Sequence, residues 1–326
     1  MLKMSVFWKK MDRFAAQLAL IHMMNRRNIR IKVMQVLYML EAENQGTPNA
    51  LLQKEFDKTR NLFVFLVHLL HKVTLYAEVE AQQRASKNLP NSADLSVNIK
   101  LSGNLIVWQT LESASFKKAL ELVKPDQWIE GDLVKGIFRQ LAASPEYQGY
   151  IKEQNRDKSK EKEILKFIFG NLVIENDNVL DYLDAHFTNW EDEGDVMIGF
   201  VMNYIQKPAS IDFMDLVGDE KMKFAVDLLT TAIEKKGITE EIIVPKLKNW
   251  DPERIALIDM ILLRLGVCEL MYFDTIPTKV SINEYIDLAK EYSTEQSGHF
   301  VNGILDNIHK EMVGAGKIQK ISHKTK

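Results

Sequence analysis

The 326-residue chain is 46% apolar with only 15 glycines and 8 prolines, too poor in breakers for an all-β fold and long enough for two core-forming units. A single cysteine, Cys268, excludes an internal disulfide framework, and without a C-x-x-C pair there is no zinc ribbon, which fits a reducing cytoplasm. The net charge of -3 hides an asymmetry: residues 1–40 carry Lys3, Lys9, Lys10, Arg13, Arg26, Arg27, Arg30 and Lys32 against Asp12 alone, and the tail adds Lys317, Lys320, Lys324 and Lys326, so the body between is acidic. Basic ends on an acidic body point to a local anion-binding site, because a charge cluster acts over about one Debye length whatever the total.

The first 24 residues read as an extension, with Met24 an alternative start; Gln17 and His22 interrupt the apolar stretch that would otherwise imitate a secretion signal. Ile29, Val33, Val36, Leu37 and Leu40 have the spacing of an amphipathic helix ending near Asn44-Gln45-Gly46. At 100° per residue, Arg27, Arg30, Met34 and Tyr38 align along the edge of that stripe, which predicts two guanidinium groups and a phenol on one flank. A second long helix follows Thr47-Pro48 and runs through Leu62, Phe63, Leu66, Leu69, Leu70, Val73 and Ala77. Its longest strongly apolar run, residues 62–70, is shorter than the roughly 20 residues of a bilayer span, so no membrane helix is expected.

Residues 84–100 read as a loop, residues 101–143 as two or three helical pieces punctuated by Pro125 and Gly131, and Ser144-Pro145 as a break. The charged run from Arg156 to Glu163 predicts an exposed helical turn before the apolar segment 164–174. A shift of sixty residues superposes Asn189-Trp190 and the apolar pattern after it on Asn249-Trp250 and its successor, which reads either as a degenerate repeat or as chance agreement between two apolar helices. Asp251-Pro252 has N-cap and N1 chemistry and predicts a helix through Ile255, Ile258, Leu262 and Leu265. Ser281-x-x-Glu284 has capping-box spacing and predicts a helix with Ile282, Ile286, Ala289 and Tyr292 on its core side. Phe300, Ile304, Leu305, Ile308 and Met312 mark the last helix.

The run Asn283-Glu284-Tyr285-Ile286-Asp287-Leu288-Ala289-Lys290, followed by Phe300-Val301-Asn302-Gly303-Ile304-Leu305-Asp306, resembles the closing signature of the NusB family, and Arg26 to Tyr38 resembles its arginine-rich first helix. The resemblance implies an all-α fold, a NusB-like helical bundle with a large helical insertion: an extension over 1–24, N-terminal helices over 25–83, the insertion over 84–217, a C-terminal unit over 218–313 and a basic tail over 314–326. It implies a cytoplasmic transcription antitermination factor whose partners are single-stranded boxA-like RNA, the ribosomal protein NusE and the RNA polymerase elongation complex. By the same resemblance Arg26, Arg27, Arg30, Tyr38, Gln296, His299 and Phe300 face the RNA. Arginine meets phosphate in bidentate fashion, and an exposed aromatic offers a stacking face, so the chemistry is sound on its own terms. The chain departs from the family in having His299 where lysine is frequent before the Phe, and Gln296 where an acid is frequent.

No cofactor or metal is expected: His68 and His71 lack a third ligand, and Gly314-Ala315-Gly316-Lys317 lacks the earlier glycine of a phosphate-binding loop. An RNA methyltransferase, which would join such a unit to a glycine-rich cofactor domain, finds no such motif here. A helical adaptor for protein contact, without RNA binding, is the other reading.

Overall fold

The computed structural model describes residues 24–42, 46–247, 255–318 and 320, with the side chain of Ala93 excepted. Among the described residues every regular element is a helix: α1 (Arg26–Ala42), α2 (Pro48–Ala85), α3 (Leu105–Glu112), α4 (Ala114–Val123), α5 (Gly131–Ala143), α6 (Pro145–Lys152), α7 (Lys158–Phe167), α8 (Asp177–His186), α9 (Trp190–Gln206), α10 (Asp219–Glu234), α11 (Lys236–Ile243), α12 (Leu257–Tyr272), α13 (Thr278–Tyr292) and α14 (Glu295–Gly314). The chain is all-α. Asn249-Trp250 and Asp251-Pro252, the second copy of the expected repeat and the expected N-cap, lie outside the described residues; α12 itself begins at Leu257.

The helices form two compact units, Asp57–Leu216 and the pair Met24–Phe56 with the chain from Val217 onward. The division falls at Asp57, inside α2, and not at residue 84. Aromatic packing accounts for this: Phe63 stacks on Phe213 with ring centroids 5.4 Å apart and meets Phe200 edge-on, while Phe65 lies 4.8 Å from Phe187. By length and composition α2 could cross a bilayer, but 78% of its most apolar window is buried inside the protein, as in a core helix.

Several polar groups buried with this aromatic core are paired. His71 is in hydrogen-bond contact with the Tyr204 hydroxyl at 2.7 Å, which in turn meets Thr110 at 3.0 Å, and burial pushes the His71 imidazole down to about 3. Thr59 and Asn189 donate to the buried Glu193 carboxylate at 2.9 and 2.7 Å. Both histidines of the sequence analysis are thus packed side chains, His68 against Asp126 at 3.1 Å.

In the other unit α12 is the central helix, buried on all sides from Ile261 to Leu270. Helices α1, α10, α11, α13 and α14 pack around it. Gly266 permits the approach of α14, since a Cβ there would lie 2.9 Å from both Leu305 methyls. The stripe of α14 is as expected, with Phe300, Ile304, Leu305, Ile308 and Met312 buried.

Two expectations about local structure are corrected. Helix α13 starts at Thr278, so Ser281 and Glu284 lie within it and cap nothing, and its core side is Ser281, Tyr285, Leu288 and Ala289. The capping box sits instead at the start of α14, where Thr294 and Ser297 exchange side-chain-to-backbone bonds.

Candidate nucleic-acid interface

Helix α1 opens on a reciprocal cap: the Asn25 side chain accepts from the Asn28 amide at 2.9 Å, and the Asn28 side chain from the Asn25 amide at 3.1 Å. Cap geometry therefore puts Arg26 and Arg27 in the first turn, where the helix dipole disfavours positive charge. Carboxylates from other helices offset that cost. Arg26 pairs with Glu220 at 3.0 Å, and Arg27 with Glu291 at 2.7 Å and Glu284 at 3.6 Å.

Arg30 does not share an exposed flank with Arg27. It is 2% exposed, because α1 is buried on almost every side from Asn28 to Met34. Its Nε and Nη2 donate to the two oxygens of Glu269 at 2.9 and 2.7 Å, and Glu269 also accepts from Ser281 at 2.6 Å and Tyr285 at 3.0 Å. Glu284 stands 3.5 Å from Arg30, and the Phe224 and Tyr285 rings lie 5.6 and 5.9 Å from its guanidinium carbon. Burial alone would lower the Arg30 pKa, but the Glu269 hydrogen bonds and surrounding negative charge raise it overall, so the group stays charged. Lys32 is buried too, 3.4 Å from Glu55.

The remaining predicted residues divide by exposure. Tyr38 is 42% exposed, and lies about 16 Å along the helix axis from Arg27. Gln296 and His299 are exposed in the first two turns of α14, whereas Phe300 is buried among the core residues of that helix. The Arg27–Glu291 pair holds the start of α1 beside the α13–α14 corner that carries Gln296 and His299. Ser297 fixes this corner by donating to Asp259 at 2.9 Å.

Lys290 belongs to the same corner and was not among the sequence-predicted contacts. Its stem runs over Gly298, where a Cβ would come within 2.5 Å of the Lys290 Cγ, and its ammonium is only loosely paired, with Asp287 at 3.6 Å. The signal was present in the sequence as the last residue of the Leu288-Ala289-Lys290 run. The surface so formed offers Arg26, Arg27, Lys290, Gln296 and His299 as donors, interleaved with Glu220, Glu284 and Glu291. Among the described residues no group of three metal-ligating side chains converges.

Fold and site together define an all-helical protein in which an arginine-bearing helix is clamped by carboxylates to a C-terminal helical hairpin. The profile of the NusB family matches residues 189–310. Relatives described as transcription antitermination protein NusB align with the same part of the chain: the Methylacidiphilum infernorum protein is 47% identical over 103 residues, 31% of this chain and 72% of the relative. The Listeria monocytogenes serotype 4b protein is 40% identical over 97 residues, 30% of this chain and 76% of the relative. The Chloroherpeton thalassium protein is 40% identical over 107 residues, 32% of this chain and 51% of that relative, so about half of its length is spanned. The chain belongs to the NusB family. No solved structure matches it. The profile begins at α9 and does not reach α1, whose place in the unit of α10 to α14 rests on its packing and ion pairs.

Proposed function

We propose that this chain is a transcription antitermination factor that binds boxA-type single-stranded RNA of ribosomal RNA transcripts together with NusE, as part of an RNA polymerase elongation complex in the cytoplasm. One observation carries the reading: membership of the NusB family through relatives that bear that description. Its RNA-facing surface is the start of α1 with the α13–α14 corner. Exposed ion pairs contribute at most about 1 kcal/mol each, so phosphate can displace Glu220 from Arg26 and Glu291 from Arg27. Arg30 and Phe300 have a different part: they are positioning residues, one anchoring α1 to α12 and the other seating α14. Tyr38 offers a stacking face at the far end of α1.

A second reading, a helical adaptor without RNA affinity, is favoured by the carboxylate partner that each arginine of α1 already holds. Titration of a boxA-like RNA against the full chain, with and without NusE, separates the two. In the RNA-binding reading the R26Q/R27Q variant loses at least tenfold in affinity, and the slope of log affinity against log salt flattens by roughly 1.4, from about 0.7 per phosphate contact. Equal binding by the variant and the unaltered chain would leave the adaptor.

A further inference from the structure

Helix α7 lies in the unit 57–216 and outside the stretch matched by the NusB profile. Its Lys158, Lys162 and Lys166 recur every four residues, so the three stems stand along one face at intervals of about 6 Å. Among the described residues no carboxylate comes within ion-pair distance of any of them. The neighbouring basic groups are engaged differently: Lys160 pairs with Glu163 at 3.1 Å, and Arg156 donates to the backbone carbonyls of Gly103 and Lys100. Lys162 meets only the amide oxygen of Gln206, at 3.4 Å. The three lysines line a shallow, open concavity with Ser159, Glu163 and Gln206.

Lysines at this spacing repel one another and destabilise a helix by a few tenths of a kcal/mol per pair. The repulsion is felt here: desolvation and the charges of Lys158 and Lys166 push the Lys162 ammonium below its ordinary value. An anion seated along the row would relieve it. The partner is polyanionic and not an acidic protein surface, because lysine is depleted at the cores of protein interfaces and this concavity offers no apolar anchor, whereas a compact ammonium is suited to phosphate.

We propose that the row Lys158–Lys162–Lys166 binds the phosphate backbone of single-stranded RNA, which makes the part of the unit 57–216 that precedes the NusB-matched stretch a second, sequence-independent contact for the transcript. The proposal rests on the RNA-binding reading of the chain but uses residues the NusB-like surface does not.

The test is a salt titration of the full chain against a boxA-like RNA and an oligouridylate. K158Q/K162Q/K166Q should weaken binding of both RNAs at low salt and flatten the log–log slope by about 2, at about 0.7 per lost contact, without a fall in melting temperature. K117Q/K118Q, which removes two exposed lysines of α4, should leave both RNAs bound as before. If the triple variant does not fold, K162Q alone should flatten the slope by about 0.7. Unchanged affinity and slope in the lysine variants overturn the proposal. A chain that shows no preference for the boxA-like RNA and ignores R26Q/R27Q, yet loses affinity with the lysine variants, retains this second contact while the NusB-like surface fails; a chain that binds neither RNA ends both.

Discussion

Arg30 and Arg27 stand three residues apart on one helix, carry the same charge and differ in almost everything that decides their energetics. Arg27 is about a third exposed and holds two carboxylates through geometry that water can replace. Arg30 is enclosed, and its partner Glu269 is fully buried with all its bonds made inside the protein. Removing one member of such a pair leaves the other as an uncompensated buried charge, a loss of about 3 to 5 kcal/mol, whereas an exposed pair is worth less than about 1 kcal/mol. Arg30→Gln should therefore lower the urea midpoint sharply, while Arg27→Gln should leave it almost unmoved. Equal midpoints for the two variants would show that the Glu269 network does not hold α1 in place. The sequence could not separate these residues, because Glu269 and Glu284 are more than two hundred positions from the helix they neutralise.

At the scale of the helix, what could be read from the sequence depended on how many sides were covered. The pattern of α14 was legible since one face is buried and the other open; in α1 the arginines read as one RNA-facing flank only because their remote partners were invisible. In α13 the same remoteness misled in another way, for Ser281 and Glu284 have the spacing of a cap but serve Glu269 and the α1 arginines. Glycine positions sort by the same logic. At Gly266 an added methyl meets Leu305, itself fully buried, at 2.9 Å, so overpacking of about 1 to 3 kcal/mol outweighs the helix-propensity gain of about 1 kcal/mol. At Gly303 nothing lies within 4 Å, and only the gain remains. Gly266→Ala should thus lower the melting temperature and Gly303→Ala raise it; a rise in both would mean that α12 and α14 can separate without loss.

For the whole molecule the position of the boundary inside α2 makes a prediction about excision. Cutting out residues 84–217 would leave the half of α2 from Asp57 onward with Leu62, Phe63, Phe65, Leu66, Leu69 and Leu70, all fully buried in the intact chain, stripped of their cover. Removing residues 57–216 and joining the ends by a flexible linker takes that apolar half of α2 out together with the unit that covers it. The second excision should give a cooperatively melting helical protein and the first an aggregating one; cooperative melting of both would deny the Asp57 boundary. The discontinuity of that unit also orders events at the ribosome. Among the described residues the aromatic unit 57–216 is a continuous stretch, available to fold once Leu216 has emerged and while synthesis goes on. Helix α1 is made first and must wait, because the carboxylate that takes up Arg30 is translated 239 residues later. Throughout that interval the basic segment of the nascent chain is unneutralised, open to any polyanion nearby, and the family fold closes over it only after Glu269 and Glu284 have been made.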